Sequence, residues 1–130
     1  MERRSISSGT PWESRVGYSR AVRIGDRVIV SGTTATDDAG EVVGDDDPYT
    51  QTIVALSNIE DALEEAGATF EDVVRTRVYV TDIGRWEEVG RAHGEHFAEV
   101  RPATSMLEVR ALIDPAMLVE IEAEAIISRP

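Results

Sequence analysis

Leu118-Val119-Glu120-Ile121-Glu122-Ala123-Glu124-Ala125-Ile126-Ile127 is the stretch on which the fold turns. Val119, Ile121, Ala123, Ala125 and Ile127 share one face of an extended chain, and Glu120, Glu122 and Glu124 share the other. This two-residue period predicts a strand over about Leu118 to Ser128, with one dry face and one wet one. A row of three glutamates repels itself unless water or cations meet it.

A partner for that row lies upstream. Across Val74 to Val80 the valines and Thr76 alternate with Arg75, Arg77 and Tyr79, so a strand over Val73 to Thr81 has a basic, polar face. If the two strands are neighbours, Arg75 and Arg77 meet the glutamates, each matched pair contributing roughly 0.2–1 kcal/mol. Between them, Arg101-Pro102-Ala103-Thr104-Ser105-Met106-Leu107-Glu108-Val109 opens a third strand over about Ala103 to Arg110. Tyr79, Met106, Glu120 and the arginines are then expected on the polar face.

The rest of the chain supplies the layer that covers the dry face. Asp45-Asp46-Asp47-Pro48 opens a helix, with acids at the positive end of its dipole and proline in its first turn. Ile53, Leu56, Ile59 and Leu63 follow at helical spacing, and Gly67 ends it. Thr69 is placed to cap a short turn containing Glu71 and Asp72. A second helix is expected over Arg85 to Glu99, with Trp86, Val89, His93 and Phe97 on one stripe. Nearer the start, Arg3 to Ser7 reads as an edge strand and Ser8-Gly9-Thr10-Pro11 as a turn or loop. Tyr18 to Ile24 and Arg27 to Thr33 read as a hairpin about Gly25-Asp26, and Asp37-Asp38-Ala39-Gly40 is a turn. There is no internal repeat, linker or low-complexity tract. This order implies an α+β fold, a sheet with two helices packed on one face, in a single domain over residues 1–130.

Composition narrows the function. The chain has 130 residues, 42% hydrophobic and 29% charged, as in an ordinary globular domain. It has no cysteine, which excludes disulfides and thiolate chemistry. All of its cations are arginine, so no lysine can form a Schiff base. A formal net charge of −12 repels nucleic acid. No apolar run approaches membrane length, and no apolar segment follows Met1-Glu2-Arg3-Arg4. The expected location is cytoplasmic.

Taken together, the motifs resemble the RidA (YjgF-like, endoribonuclease L-PSP) family. The residues carrying the resemblance are Gly17-Tyr18-Ser19 with Val28-Ile29-Val30-Ser31-Gly32, Gln51-Thr52 through Glu65-Ala66-Gly67-Ala68, Asp72 through Val80-Thr81-Asp82, Pro102-Ala103-Thr104-Ser105, and Glu120-Ile121-Glu122-Ala123. The resemblance implies a chorismate-mutase-like mixed sheet assembled as a homotrimer, with small-molecule ligand sites between subunits and no cofactor. It implies that Glu120 is the carboxylate that activates water and that Tyr18 borders the pocket; Gly32, after Ser31, is a position where backbone can approach a ligand closely. Two positions depart from the family. Thr104 stands where an arginine clamps a substrate carboxylate, and Gly84 stands where asparagine is frequent. Arg101, and after it Arg20 and Arg110, are candidates to replace the missing anchor.

Each candidate has a plainer reading. Glu120 can be one member of a salt-bridged row, and Thr104 simply a strand former. Tyr18 can be a packing residue, and Gly32 a strand-end or bulge glycine. His93 and His96 lie one turn apart, but no ligand set surrounds them, so packing for His93 and solvation for His96 are expected and no metal site is assigned. The leading function is hydrolysis of reactive enamines, imines or related small nitrogen-containing metabolites, with a substrate altered by Thr104. A non-catalytic ligand-binding trimer is the alternative. A ribonuclease or translation-inhibitor role fits poorly with the acidity.

Overall fold

The computed structural model describes residues 1–128. Its strands are β1 (Arg3–Ile6), β2 (Ala21–Ile24), β3 (Arg27–Thr33), β4 (Val73–Val80), β5 (Ala103–Glu108) and β6 (Val119–Ile126). Its helices are α1 (Pro11–Val16), α2 (Pro48–Glu65) and α3 (Trp86–Phe97), with short 3-10 turns at Phe70–Asp72 and Ile83–Arg85. The strands form one mixed sheet in the order β1-β2-β3-β6-β4-β5. Among the described residues, only the β4–β5 pair is parallel.

The strict alternation of β6 is what lets it sit in the middle. Val119, Ile121, Ala123 and Ala125 are buried against α2 and the flanking strands. They meet Val28 and Val30 of β3, Val78 and Val80 of β4, and Leu56, Ile59 and Leu63 of α2 in one core. Both long helices therefore cover the same sheet face, as the sequence implies. The buried stripe of α2 begins at Thr52 and runs through Ala55, Leu56, Ile59, Ala62 and Leu63, whereas Ile53 is only half-buried. Asp47 caps α2 by accepting from the Thr50 N–H at 3.1 Å, and Pro48 fills the first turn. Gly67, at φ +88, reverses the chain after it.

Four details depart from the sequence reading. First, α1 follows Ser8-Gly9-Thr10 directly, with Pro11 at its first turn. It was hidden because it buries no apolar stripe. Its buried residue is Glu13, whose carboxylate gathers the hydroxyls of Ser7, Ser8 and Thr10 and the Ser8 N–H. Second, β4 is bulged opposite β6, between Val73 and Arg75. The extra residue exposes Val74 while Val73 and Thr76 keep the core face. Third, Met106 packs against the core rather than on the polar face, because it stands opposite the buried Val78. Fourth, Trp86 is 53% exposed, and the inner stripe of α3 is Val89, Ala92 and Phe97 with a half-buried His93.

The hairpin between β2 and β3 turns in two residues, with Ile24 opposite Arg27. Gly25 takes φ +58 there, as a two-residue hairpin with glycine first demands. Thr69 and Asp72 form the expected cap: Thr69 Oγ1 accepts from the Glu71 N–H, and Asp72 accepts from the Thr69 N–H at 2.9 Å. A buried Gln51 ties distant segments together. Its amide donates to the carbonyls of Gly44 and Ala116 and accepts from the Leu118 N–H at 2.8 Å.

Candidate functional site

The face of the sheet away from the helices carries the charges. Register places Arg75 opposite Glu124, Arg77 opposite Glu122 and Tyr79 opposite Glu120. The expected meeting of basic and acidic rows is therefore present. Among the described residues, however, neither Arg75 nor Arg77 comes within ion-pair distance of a glutamate. Glu122 instead accepts the Tyr79 hydroxyl, and Glu124 pairs with Arg27 at 3.4 Å. Ile29 and Leu107 add exposed apolar surface to this face, at 46% and 47%.

Glu120 is set into this face by a bulge in β3. Val30 pairs with Ala123 and Thr33 with Ile121, so Ser31 and Gly32 together stand opposite a single residue of β6. The Glu120 side chain fills the space that Gly32 leaves. A Cβ on Gly32 would collide with Glu120 Oε2 and lie 2.9 Å from its Cδ. Gly32 is therefore needed for room rather than for an unusual backbone angle.

Arg20 lies beside the same bulge. Its guanidinium donates to the Gly32 carbonyl, and its Nε is buried without a partner. The guanidinium also lies 5.8 Å from the centre of the Tyr18 ring. Ser31 fastens the neighbouring turn by donating to the Ser19 carbonyl at 2.6 Å. Tyr18, Arg20, Gly32 and Glu120 thus form one cluster at one end of the sheet. Burial holds the Glu120 carboxyl above the ordinary glutamate range, the negative Glu122 adds to the rise, and Arg20 opposes it. The outcome is a carboxyl suited to exchanging protons nearer neutrality.

Thr104 belongs to a different neighbourhood. It stands opposite the buried Thr76, on the helix-covered side of β5. Thr104 Oγ1 lies 2.8 Å from Thr76 Oγ1 and 3.1 Å from the Pro102 carbonyl, and Thr76 Oγ1 lies 2.9 Å from His93 Nε2. Glu120 is level with Tyr79 and Leu107, whereas Thr104 is level with Thr76 and Ala123. Two strand spacings and three residues separate them, roughly 10 Å in each direction. Within one subunit, then, they do not share a site.

The other candidates divide in the same way. Arg101 takes φ +54 as it closes the turn after α3, with its N–H on the Phe97 carbonyl at 2.8 Å. It is exposed, two residues before β5, at the end of that strand away from the level of Glu120. Arg110 is also exposed. Of the three arginines, it is Arg20 whose charge acts on Glu120. Gly84 lies in the 3-10 turn after β4, where its N–H donates to Asp82 at 2.9 Å. A side chain there would crowd that same carboxylate, at 3.0 Å. His96 is not simply solvated: its ring packs edge-on to Phe70 at 5.7 Å, and its Nδ1 is 2.9 Å from the Ala92 carbonyl.

Sequence reasoning undervalued Arg20 and missed the Thr76–His93 contact. The alternation Ala21-Val22-Arg23 gives no sign of where the preceding Arg20 points. A threonine at a core-facing strand position was the available signal for Thr76, because a buried hydroxyl requires a partner. A groove of about 750 Å³ lies between the N-terminal segment and α2; its lining includes Ser8, Arg20, Asp37, Asn58 and Asp61, but not Glu120.

A mixed six-stranded sheet with two long helices on one face and a half-buried carboxylate on the other defines an α+β protein of the RidA/YjgF type. Comparison with known proteins agrees. Residues 10–127 match the family described as Endoribonuclease L-PSP, and the chain belongs to that family. The crystal structure of Rv2704 from Mycobacterium tuberculosis, described as a member of the YjgF/YER057c/UK114 family, superposes with a TM-score of 0.90 at 57% identity, covering 97% of this chain and all (100%) of that one. SCO2049 of Streptomyces coelicolor is 47% identical over 123 residues, 94% of this chain and 90% of the relative. The RutC family protein PYRAB12510 of Pyrococcus abyssi is 37% identical over 109 residues, 83% of this chain and 84% of the relative. Among the described residues, no helix is long and apolar enough to cross a membrane.

Proposed function

We propose that the chain, acting as one domain, forms a cytoplasmic homotrimer that hydrolyses small reactive enamines, imines or related nitrogen-containing metabolites in clefts between subunits. The observation that carries this reading is the Glu120 carboxyl, pressed over Gly32 and raised in pKa by burial. Tyr18, Gly32 and Glu120 supply one wall of the cleft, and Gly84, Arg101 and Thr104 of a neighbouring copy supply the other. Ile29 and Leu107 add exposed apolar surface to the charged face, which a neighbouring copy would cover.

The chemistry asks little beyond position. Glu120 takes a proton from water as the oxygen bonds to the electrophilic imine carbon, and passes it to the nitrogen, which has received the C=N π pair. From the carbinolamine Glu120 takes the hydroxyl proton and passes it to the amine nitrogen; the C=O bond forms as the C–N bond breaks, and ammonia leaves. Glu120 ends as it began, and no cofactor takes part. Holding water and carbon in contact is the main contribution.

Thr104 alters the substrate. A guanidinium–carboxylate pair is worth roughly 1.5–3 kcal/mol, and a threonine cannot neutralise an anion. Loss of that contact alone corresponds to about 10- to 150-fold in transition-state binding. The 2-imino acid 2-iminopropionate is therefore expected to be hydrolysed poorly. The test couples amino-acid oxidation to imine decay across a panel of imines, with sedimentation to establish the trimer. Ammonia release from at least one imine, abolished by Glu120→Ala, is the expected result. Equal decay with the wild type and with Glu120→Ala, or a monomer at micromolar concentration, sinks the proposal. A purely binding protein is the second reading, favoured by the Thr104 hydroxyl already being hydrogen-bonded within its own chain.

A further inference from the structure

The hydrogen bonds around Thr104 have a direction that can be deduced. Pro102 offers a carbonyl oxygen, which can only accept, so the single Thr104 hydroxyl proton points to it. Thr104 Oγ1 must then accept from Thr76, 2.8 Å away. That uses the single proton of Thr76, whose oxygen must in turn accept from His93 Nε2 at 2.9 Å. The chain therefore runs His93 Nε2–H to Thr76, Thr76 O–H to Thr104, and Thr104 O–H to Pro102. His93 is held by packing, its ring 4.7 Å from that of Phe97, and Thr76 is buried. Thr104, at the other end of the relay, is exposed on edge strand β5.

From this we infer that Thr104 is a specificity-determining residue that faces a ligand as a hydrogen-bond acceptor, and so selects a neutral group bearing an N–H or O–H over a carboxylate. The inference rests on the reading above that Thr104 lines a ligand cleft. Its proton is committed to Pro102, one lone pair is committed to Thr76, and the remaining lone pair is what a ligand meets. An amide or urea nitrogen can donate to it. A carboxylate cannot donate, and two acceptors set face to face repel.

Two measurements on the full-length protein test this. The first reads the His93 tautomer from its imidazole nitrogen resonances, without ligand, at a pH where the ring is neutral. The Nε2–H form is expected. In Thr104→Val the Thr76 hydroxyl loses its acceptor and turns to donate to His93, which shifts the ring toward the Nδ1–H form, while Thr104→Ser retains Nε2–H. An Nδ1–H ring in the wild type, or a tautomer indifferent to Thr104→Val, overturns the relay. The second titrates pyruvamide and pyruvate, which differ only in amide against carboxylate, and follows the Thr104 methyl resonance. Pyruvamide is expected to bind about tenfold more tightly, with the preference lost in Thr104→Val and kept in Thr104→Ser. Equal binding, tighter binding of pyruvate, or no response of Thr104 to either compound overturns the assignment of specificity. The tautomer is read without ligand or turnover, so it stands or falls separately from the hydrolytic reading.

Discussion

The two faces of β6 are made by the same eight residues and behave as different materials. The odd-numbered residues Val119, Ile121, Ala123 and Ala125 are buried among apolar neighbours, where every methyl group is held by close packing. The even-numbered Glu120, Glu122 and Glu124 are half-buried beside a tyrosine and arginines. One face fixes the fold and tolerates little change in volume. The other half-buries its carboxylates and sets them side by side; burial first, and the negative Glu122 after it, gives Glu120 its raised pKa.

The sharpest way to break this contrast is on the dry face. Ile121→Ala should lower unfolding stability by about 2–5 kcal/mol, as cavity-forming substitutions in cores do, while Glu122→Ala should cost far less. Chemical denaturation of both variants checks this, and equal losses would mean that the faces are not mechanically distinct. Next in size is Gly32→Ala, whose new methyl group must displace the Glu120 side chain. A cost of roughly 1–3 kcal/mol is expected, together with a fall of the Glu120 pKa toward 4.5 as its carboxyl moves out to water. Carboxyl-carbon NMR titration reads the second effect.

The pH dependence of stability separates the faces by sign. Glu120 has a folded pKa above its unfolded value, so the folded state binds more protons between the two. Its contribution to stability falls as pH rises from about 4.5 through the folded pKa, and Glu120→Gln should remove that fall. His93, on the helix side, has its folded pKa lowered by burial and by His96. Its contribution is lost in the opposite direction, as pH falls through about 6.5 toward the folded pKa. Thermal melts of Glu120→Gln and His93→Gln between pH 4 and 8 should remove slopes of opposite sign, a fall in stability with rising pH that begins near 4.5 for Glu120 and a loss with falling pH that begins near 6.5 for His93. The smallest effect is expected for Arg27→Ala, which removes an exposed ion pair at 3.4 Å. Such pairs are worth about 0–1 kcal/mol, and less in salt.

How far the sequence could be read follows the same division. The alternation of β6 and the spacing of Leu56, Ile59 and Leu63 announced the buried layer, because burial imposes a period on residue type. The bulges did not announce themselves: one added residue leaves composition unchanged while turning Val74 outward and setting Ser31 and Gly32 together opposite one residue. Helix α1 escaped notice because Glu13, rather than an apolar stripe, fills its inner side. At the candidate site, Glu120 could be picked out by resemblance and Gly32 by the close approach that a glycine permits. The role of Arg20 could not, since it depends on where a long side chain turns after leaving the strand. Nor could the separation of Thr104 from Glu120 within one subunit, which depends on strand order and register together.

The place of β6 in the sheet has a consequence for how the molecule is made. β6 follows every other strand in the chain, yet it lies between β3 and β4. Until it emerges from the ribosome, β1 to β3 and β4 to β5 are two separate ribbons, each with an open edge able to pair with a stranger. The closing strand must be drawn into a gap, with long loops already formed on either side, and such non-local pairing is slow. Glu120 arrives with it. Any half-made chain therefore carries exposed edges and no Glu120 in position, and the step that heals the sheet is also the step that sets this carboxyl over Gly32.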